Sequence, residues 1–339
     1  MRIAVVGATG LVGRSMMEQL SDRPWLDGSL RLLASARSTG RVLPFRGEDL
    51  VVENAAEFDP SAVDLALFSA GGATSRELAP RFVEAGCWVI DNSSAWRMDP
   101  ATALVVPEIN AHALPNRPAV IANPNCSTIQ IVMALAPLHQ AFGLLQMHVA
   151  TYQSVSGAGA AARRALLDQI DQRRPADLDA PLGEATGGVF ARPIAFDAVP
   201  EIGPADADGF FQEETKVVQE SRKILGLPDL QVTCLAVRVP SWNGHGAVVR
   251  AVFADRVDRD EAVRRLASFP GLVVADDPLG YATPSEVSGD GRVHVGRLRI
   301  DSGEPKALTM WVAADNLLKG AALNAVQIAD VLAVRRAQR

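Results

Sequence analysis

The chain contains few cysteines, and their spacing argues against two kinds of site. Cys87, Cys126 and Cys234 lie far apart in the sequence. A disulfide framework or a metal-binding knuckle needs cysteines in closely spaced pairs. We therefore expect no bound metal, and a reducing, cytoplasmic setting in which the thiols stay reduced.

Long apolar runs and strong positive charge are also lacking. No apolar stretch reaches the roughly 18–20 residues that cross a bilayer, and the first residues form a strand pattern rather than a charged and then apolar leader. The formal net charge is −6, and no basic run is longer than a short pair such as Arg335 and Arg336. These features predict a protein that binds neither membranes nor nucleic acid.

What the chain does contain is enough apolar sequence for two folded domains, with 48% hydrophobic residues in a length of 339. In its first part, short apolar segments alternate with helical patterns. This alternation predicts an α/β architecture with a doubly wound, Rossmann-type parallel sheet. Ligands bind such sheets at the carboxyl ends of the strands. The segments predicted to lie there are residues 7–13, 69–72, 92–97 and 123–126.

A glycine-rich loop follows the first predicted strand, residues 2–6. Its spacing is Gly-x-x-Gly-x-x-Gly, which differs from the stricter Gly-x-Gly-x-x-Gly fingerprint. Glycines allow a tight turn and the close approach of a pyrophosphate to the start of a helix. A structural turn is the alternative, but the position between strand and helix favours a dinucleotide site. Its candidate residues are Gly7, Thr9, Gly10, Leu11, Val12 and Gly13.

The end of the next predicted strand, residues 30–34, indicates which dinucleotide binds. NAD-binding units usually carry Asp or Glu here for the ribose 2′-hydroxyl, and residues 35–40 include neither. Ser35, Arg37 and Ser38 suit a 2′-phosphate instead. The sequence thus predicts NADP as the cofactor, unless Arg37 is an ordinary solvated loop arginine.

Cys126 is the candidate nucleophile. It follows a predicted strand at residues 119–122 and a turn at 123–125. A helical pattern then runs from Ser127 and ends at Pro137. A cysteine at the start of a helix meets free N–H groups and the positive end of the dipole, which favour a thiolate and an oxyanion formed on its sulfur. A small buried cysteine is the alternative.

The second part of the chain is predicted to be of α+β type, with helices beside a mainly antiparallel sheet. Residues 173–204 are rich in Pro, Gly and Asp, which predicts a long irregular connection. The last predicted helix, from 316 to about 334, follows the sheet and can return to the first domain. The predicted strands are residues 147–154, 231–239, 246–254, 292–300 and 307–314, and the other helices end near 171 or span 210–225 and 260–268.

Several charged residues in this part are candidates for chemistry. His245, in what reads as a flexible turn, has a side chain suited to acid or base catalysis near neutrality. Arg238, at a strand end, offers a planar fork for a carboxylate. Structural roles for both remain open. Glu213 and Lys216 share a helix face, and by themselves they predict only a weak surface ion pair.

A thiolate, a nicotinamide cofactor and a histidine together suggest oxidation of an aldehyde through a thioester. The cysteine does not decide whether water, phosphate or coenzyme A cleaves the acyl-enzyme. Arg97 and Lys216 make phosphate a reasonable choice.

Across essentially its whole length the chain resembles aspartate-β-semialdehyde dehydrogenase of the bacterial type. The motifs that carry the resemblance, in the family's order, are residues 5–13, 34–38, 68–71, 123–128, 151–159, 213–216 and 315–322. The resemblance implies NADPH-dependent reductive dephosphorylation of L-aspartyl-4-phosphate to L-aspartate 4-semialdehyde, and its reverse. It places this reaction in the biosynthesis of lysine, threonine, methionine and diaminopimelate.

The same resemblance implies roles for individual residues. Cys126 would carry the acyl group, His245 would act as acid and base, and Gln153 would orient the substrate. Arg238 would bind the substrate carboxylate and Glu213 its ammonium. The remaining implied contacts are Arg97 and Lys216 with phosphate, and Ser156, Gly157 and Asn316 with NADP.

The family's organisation implies an NADP-binding domain formed by residues 1–127 and 316–339. Residues 128–315 would form a catalytic and dimerisation domain, and the protein would be a homodimer or a dimer of dimers. One departure is Gly246 next to the histidine, where the family more often has Ser or Ala, and we expect it to add backbone freedom.

Two other readings remain. One is N-acetyl-γ-glutamyl-phosphate reductase, but its cysteine motif usually reads Gly-Cys-Tyr, whereas Cys126 lies between Asn125 and Ser127. The other is a non-catalytic paralogue that serves as a binding subunit. The joint presence of Cys126, Gln153, Arg238 and His245 argues against it.

Overall fold

The computed structural model describes residues 1–26, 30–177 and 179–338. Numbered in chain order, its strands are β1 (Ile3–Val6), β2 (Leu30–Ala34), β3 (Val42–Phe45), β4 (Glu48–Asn54), β5 (Leu65–Phe68), β6 (Trp88–Asp91), β7 (Ala103–Leu104), β8 (Val120–Ala122), β9 (Leu144–Gln153), β10 (Gln231–Arg238), β11 (His245–Phe253), β12 (Leu272–Val274), β13 (Val293–Asp301) and β14 (Glu304–Ala314). Its helices are α1 (Leu11–Ser21), α2 (Gly72–Glu84), α3 (Pro107–Asn110), α4 (Cys126–Phe142), α5 (Ala160–Arg173), α6 (Gln212–Leu225), α7 (Arg259–Ala267) and α8 (Leu323–Ala337).

The chain divides into two compact units. The first consists of Met1–Ile129, Lys223–Gly226 and Leu317–Arg339, and the second of Gln130–Arg222 and Leu227–Asn316. None of the helices in the described part of the chain is long and apolar enough to cross a membrane.

The first unit contains an eight-stranded sheet in the order β3-β4-β2-β1-β5-β6-β8-β7. All of its pairs are parallel except β3 with β4. The central strand β1 is buried along its whole length, as expected for a strand covered on both faces. The predicted doubly wound α/β architecture is confirmed.

Helices cover both faces of this sheet. On one face Ile3 packs in a core with Met16 of α1 and Val326 of α8. On the other face Ala4 packs in a core with Phe82 of α2. Successive residues of a strand point to opposite faces, so β1 contributes to both cores. The carboxyl edge of the sheet therefore stays free for the loops that follow β1, β2, β5, β6 and β8.

The second unit contains a six-stranded sheet in the order β10-β9-β11-β14-β13-β12. Its three central pairs, β9–β11, β11–β14 and β14–β13, are antiparallel, and the two outer pairs are parallel. Together with the helices α5, α6 and α7, this confirms the predicted α+β type with a mainly antiparallel sheet. Between Arg173 and Gln212 the described residues form no helix or strand of the sheet.

The helix that begins at Cys126 is longer than its sequence pattern predicts. The prediction that it ends at Pro137 is wrong, because α4 continues to Phe142 with Pro137 inside it. A proline in a helix removes one backbone hydrogen bond. Leu138 and Phe142, beyond the proline, are almost fully buried, and burying a large apolar side chain contributes about 1.5–3 kcal/mol, which offsets that loss.

Candidate active site

The glycine-rich loop turns sharply between β1 and α1 in the first unit. Gly7 has a φ of 90°, which side-chain-bearing residues rarely adopt. A Cβ atom on Gly7 would lie 2.4 Å from the carbonyl oxygen of Ser69, and one on Gly13 would lie 2.2 Å from that of Gly7. Both positions therefore require glycine for the loop to pack this tightly.

The N-terminus of α1 carries no side-chain cap from the described residues. Its N-cap is Gly10, and no acidic residue lies in the first turn, which Leu11, Val12 and Gly13 form. The first N–H groups of a helix have no partner within it. With the positive end of the helix dipole, they form a site suited to a phosphate group.

A cleft of about 580 Å³ lies beside this loop and is lined by Thr9, Ser35 and Arg37 among others. The Arg37 side chain is exposed and makes no hydrogen bond or ion pair within residues 1–26, 30–177 and 179–338. Ser38 ends the 3₁₀ turn Ala36–Ser38 and is not part of the lining. An open helix end, a hydroxyl and an unpaired cation around one cleft fit a dinucleotide that carries an additional phosphate.

Cys126 is the first residue of α4 and is partly exposed. Asn125, directly before it, caps the helix: its Oδ1 accepts the N–H groups of Ser127 at 2.9 Å and Thr128 at 3.1 Å. The predicted position of the cysteine is confirmed. The expectation that these first-turn N–H groups are free is wrong, because a carboxamide oxygen already occupies two of them.

The π-helical turn Leu318–Ala322, which directly precedes α8, packs against Cys126. A Cβ atom on Gly320 would lie 2.8 Å from the Cβ of Cys126. The turn is anchored by Lys319, a buried cation whose Nζ lies 2.7 Å from Oε2 of Glu108. π-turns are rare and often occur at functional sites. Here the turn allows the backbone to approach the cysteine closely.

Arg97 is buried and connects two loops at the carboxyl edge of the first sheet. Its Nε donates to the carbonyl oxygen of Asn123 at 2.9 Å, and its Nη2 donates to that of Asn92 at 2.9 Å. These residues directly follow β8 and β6. The guanidinium therefore contacts the loop that leads to Cys126, although part of its bonding capacity serves the backbone.

In the second unit the sheet places three predicted site residues in one row. Gln153, at the end of β9, pairs with Arg238 at the end of β10 and with His245 at the start of β11. Residues that face each other in this way project to the same side of a sheet. All three side chains are buried. Strand pairing thus brings together residues that are distant in the sequence.

Glu213, on α6, contacts this row. Its Oε1 accepts a hydrogen bond from Nε2 of Gln153 at 3.1 Å, and its Oε2 lies 3.2 Å from Nζ of Lys216. The carboxylate is buried, with 5% of its surface exposed. Glu213 and Lys216 therefore do not form the weak surface ion pair that their spacing alone predicts, because the carboxylate lies inside the protein.

His245 is fully buried, and its Nδ1 lies 3.1 Å from the backbone nitrogen of Ser154. Burial, and then the charge of Arg238, lower the pKa of His245 to about 3, because an imidazolium there would lose its hydration and meet a second cation. The charge of Glu213 and the backbone of Gly244 oppose this shift only in part. The ring is thus neutral at physiological pH. The expectation of a pKa near neutrality is wrong for this environment.

The expectations of a flexible turn at His245 and of added backbone freedom at Gly246 are also wrong. His245 opens β11, and Gly246 lies inside the strand. A Cβ atom on Gly246 would lie 2.2 Å from the ring of Trp311, so this glycine makes room for an aromatic side chain. The residue that turns the chain is Gly244, with a φ of 80°.

The residues that the resemblance assigns to NADP in this unit form a cluster beside His245. Oδ1 of Asn316 accepts from Oγ of Ser156 at 3.0 Å and from the N–H of Gly244 at 3.0 Å. A Cβ atom on Gly157 would lie 3.1 Å from Nε2 of His245. Their contact with a cofactor stays a prediction.

Within the described residues, no three His, Cys, Asp or Glu side chains form a group that could hold a metal.

Three residues of the site had no role assigned from the sequence: Asn125, Ser154 and Gly320. Asn125 carries a usable signal, because Asn before a helical pattern is a common N-cap. Ser154 and Gly320 carry weaker signals, since their partners, His245 and Cys126, are remote in the sequence.

Two protein-family models match the chain. One, described as semialdehyde dehydrogenase, NAD binding domain, matches residues 2–117. The other, described as semialdehyde dehydrogenase, dimerisation domain, matches residues 135–319. The two matches follow one another along the sequence.

Individual proteins are similar over nearly the full length. Aspartate-semialdehyde dehydrogenase of Bacillus subtilis (strain 168) is 43% identical over 340 residues, covering 98% of this chain and 97% of that protein. The protein of the same name from Streptomyces akiyoshiensis is 45% identical over 342 residues, covering 98% of both. A crystal structure of aspartate semialdehyde dehydrogenase II from Vibrio cholerae, complexed with ASA, has a TM-score of 0.91 at 41% identity and covers 98% of both chains.

Proposed function

The chain belongs to the aspartate-semialdehyde dehydrogenase family of nicotinamide-dependent oxidoreductases, and on this premise we propose that it interconverts L-aspartyl-4-phosphate and L-aspartate 4-semialdehyde. The observation that carries the choice of substrate is the buried row of Arg238, Gln153 and His245 with Glu213 beside it. A guanidinium fork and a carboxylate together suit the two charges of a free amino acid. An acetylated amine would have no ammonium for Glu213, which disfavours N-acetyl-γ-glutamyl-phosphate as the substrate.

The first unit is proposed to bind the cofactor. The open N-terminus of α1 would hold the pyrophosphate, with Thr9 and Gly10 close to it. A bound nicotinamide supplies or accepts the hydride, which no side chain can provide. Ser156, Gly157 and Asn316 of the second unit are proposed as further contacts.

Cys126 is proposed to perform the covalent step. Its sulfur attacks the acyl carbon of the acyl phosphate, and phosphate leaves with the electron pair of the broken C–O bond, so that a thioester forms. After reduction of the thioester carbon, the C–S bond breaks, the electron pair returns to sulfur, and the semialdehyde is released. In the opposite direction, phosphate cleaves the thioester.

The other residues are proposed to orient the substrate. Arg238 binds the α-carboxylate, Glu213 the ammonium, and Gln153 holds the carboxylate of Glu213 in place. Arg97 and Lys216 are assigned to the phosphate group, because an acyl phosphate brings additional negative charge. Lys216 already lies beside Glu213, so its ammonium is held near the substrate row.

The direct test is the oxidative reaction with purified protein. Reduction of NADP, followed by absorbance, should require both aspartate semialdehyde and inorganic phosphate. A non-catalytic paralogue would give no signal. Activity that needed coenzyme A, or no acyl acceptor other than water, would contradict the proposed reaction.

A preference for NADP over NAD is proposed from Arg37 and the serines beside it. A guanidinium forms charge-assisted hydrogen bonds with a phosphate, each worth about 1.5–3 kcal/mol. Arg37→Ala should therefore weaken NADP binding by roughly 10- to 150-fold and leave NAD binding unchanged. Equal losses for both cofactors would show that Arg37 supports the loop rather than the 2′-phosphate. Arg41→Ala serves as a control, because Arg41 is an exposed arginine nearby that does not line the cleft.

The assignments of Arg238 and Lys216 can be separated by kinetics. Arg238→Lys loses one of two bonds to a carboxylate and should raise the KM for the semialdehyde by about 10- to 100-fold. Lys216→Ala should chiefly raise the KM for phosphate. Varying phosphate and semialdehyde independently distinguishes the two. If Arg238→Lys affects phosphate and spares the semialdehyde, the assignments are reversed.

A homodimer is proposed to form through the open face of the second sheet. Tyr152, Leu235 and Val248 project from neighbouring strands to this face with 38%, 53% and 37% of their surface exposed. Contiguous exposed apolar side chains mark interaction surfaces, and the dimerisation-domain match covers all three strands. Leu235→Arg should lower the mass in sedimentation to that of one chain. A dimer that persists would place the interface elsewhere, and a tetramer would indicate a dimer of dimers.

The domain roles follow from these assignments. Residues 1–127 and 316–339 are proposed as the NADP-binding domain and residues 128–315 as the catalytic and dimerisation domain. A nucleophilic thiol needs a reducing compartment, so the cytoplasm is the proposed location. The product semialdehyde would serve the biosynthesis of lysine, threonine, methionine and diaminopimelate.

A further inference from the structure

Lys319 is a fully buried cation in the π-helical turn that packs against Cys126, with only 1% of its surface exposed. A lysine ammonium has three protons to donate. Four side-chain oxygens surround it: those of Glu108 at 2.8 and 2.7 Å, Oδ1 of Asn324 at 3.0 Å and Oε1 of Gln327 at 2.6 Å. The side chain is therefore fixed at both ends, by the turn at its Cα atom and by these oxygens at its Nζ atom.

The contact with Asn324 fixes the direction of a chain of hydrogen bonds that reaches the loop before Cys126. Because the ammonium can only donate, the carboxamide oxygen of Asn324 must accept, and its Nδ2 is left to donate. This Nδ2 donates to Oδ1 of Asn123 at 2.7 Å. Nδ2 of Asn123 then donates to the carbonyl oxygen of Ala321 at 3.2 Å. The turn and the loop before the cysteine are thus joined twice, through Asn324 and directly at Ala321.

The turn also lies against the cysteine itself. A Cβ atom on Gly320 would lie 2.8 Å from Cβ and 3.2 Å from Cα of Cys126. The N–H of Ala322 donates to the carbonyl oxygen of Leu317 at 2.9 Å, which is the i→i+5 pattern of a π-turn. A displacement of the turn would therefore reach the nucleophile, and a misplacement of about 1 Å is enough to slow a reaction strongly.

The charge of Lys319 is balanced where it lies. Burial lowers the pKa of Lys319, and the charge of Glu108 and its hydrogen bond oppose this shift. The ion pair has no net charge, so its field at the thiol of Cys126 is weaker than that of a free cation. A buried ion pair is often no more stabilising than two apolar side chains of similar volume. What this pair supplies is a fixed place for the turn.

We propose that Lys319, with Glu108 as its counter-ion, is a positioning residue that fixes the π-turn and so holds Cys126 in place for its attack on the acyl carbon. The proposal rests on the proposed function, because Cys126 is the nucleophile of that reaction. Lys319 acts through the turn and through Asn324, without contact with the substrate.

Three variants separate positioning from stability. Lys319→Met leaves the carboxylate of Glu108 unpaired and should also destabilise the fold. Lys319→Met/Glu108→Leu removes both charges at similar volume and therefore carries the test. Arg335→Met is the matched control. Arg335 is another cation that binds loop carbonyl oxygens, those of Ala111 and Leu114, but it lies in the last turn of α8, away from the π-turn.

Hydrogen–deuterium exchange tests the proposal without substrate. Peptides that cover residues 120–130 and 317–323 should lose protection in Lys319→Met and in the double variant, whereas Arg335→Met should leave their protection unchanged. Unchanged protection in the double variant, or an equal loss in Arg335→Met, would overturn the proposal. This result does not depend on whether the phosphate-dependent assay succeeds.

Steady-state kinetics tests the effect on the reaction. In the double variant kcat should fall by about 10- to 100-fold, while the KM for the semialdehyde and the Kd for NADP stay within about twofold, because the residues proposed to bind them are unchanged. A kcat close to that of Arg335→Met would overturn the positioning role.

The pH dependence of Cys126 alkylation by iodoacetamide distinguishes position from charge. If Lys319 acts through position, the midpoint should differ by less than about 0.3 pH unit between the double variant and the unsubstituted protein. A midpoint that rises by about one pH unit or more would show that Lys319 acts through its charge on the thiol, and would overturn the proposal.

Discussion

Helices α1 and α4 both begin at the carboxyl edge of the first sheet, but their N-termini differ. α1 follows the glycine loop, with Gly10 at its N-cap and no side-chain cap. α4 begins with Cys126 and is capped by Oδ1 of Asn125, which occupies two N–H groups. The same element of secondary structure thus presents an open end in one place and a closed end in the other.

The difference matches what each end is proposed to hold. An external pyrophosphate needs several free N–H groups, and a Gly N-cap forgoes only a few tenths of a kcal/mol relative to a polar cap. The sulfur of Cys126 belongs to the helix itself, and negative charge formed on it would gain from the dipole without occupying all the N–H groups. A cap on α4 therefore stabilises the helix end that carries the nucleophile, whereas a cap on α1 would compete with the cofactor.

The largest effect is expected at the closed end, from Cys126→Ser. Turnover should fall by at least about 10²-fold, an order of magnitude typical for loss of a nucleophile. The Kd for NADP should stay unchanged, because the dinucleotide is proposed to bind at the α1 loop and not at the thiol. Alkylation provides a matched control. Burial raises the pKa of Cys87 to about 11 and that of Cys234 to about 12, so iodoacetamide should label Cys126 alone. Activity above a few per cent in Cys126→Ser would contradict the thioester mechanism.

A smaller effect is expected from the backbone that supports the same end. Gly320→Ala forces a methyl group to within 2.8 Å of the Cys126 side chain. A nucleophile displaced by about 1 Å can lose up to about 10²-fold in rate, so kcat should fall by about 10- to 100-fold. Gly303→Ala is the control, because a Cβ there meets no atom within 4 Å. Comparable activity in the two variants would show that Cys126 tolerates displacement.

At the open end, Gly10→Asp should separate stability from binding. The backbone at Gly10 is extended and has room for a side chain. An aspartate there would cap α1 and interact favourably with its dipole, which should raise the free energy of unfolding by about 0.5–1 kcal/mol. The Kd for NADP should rise about tenfold, because the carboxylate would occupy the N–H groups proposed to bind the pyrophosphate and would repel its negative charge. Gly10→Ala controls for bulk, and an unchanged Kd in Gly10→Asp would place the pyrophosphate elsewhere.

The smallest effect is expected from removing the cap of α4. Asn125→Ala leaves two N–H groups without their partner and should lower the free energy of unfolding by about 1 kcal/mol, as measured by urea denaturation. Asn125→Ser restores a capping oxygen and should recover most of this loss. If Asn125→Ser is as unstable as Asn125→Ala, the carboxamide acts through contacts other than the cap.

Local patterns were sufficient for most of the first unit. An apolar strand, a glycine loop and an amphipathic stripe have signatures within a few residues of one another, and the position of Cys126 at a helix start follows from the same kind of pattern. The hairpin of β3 and β4 was not predicted, although its two turn residues, Arg46 and Gly47, both have positive φ values. Only Gly47 of the pair is a residue type typical of such turns.

Patterns failed where a distant residue decides the local structure. The helix through Pro137 continues because Leu138 and Phe142 are buried, and spacing alone does not show how much burial a segment gains. Gly246 reads as a flexible position, yet it faces the ring of Trp311. In both cases the controlling contact lies outside the segment whose pattern was read.

The sequence by itself determined the types of element, the residues able to do chemistry and the resemblance to a family, because these depend on residue identity and short spacing. Only the tertiary structure decided that Gln153, Arg238 and His245 share one row, and that Gly320 lies against Cys126. The same holds for the depressed pKa of His245. Strand register and burial arise from contacts between residues far apart in the chain, and the charge state of a buried ring depends on the groups that those contacts place around it.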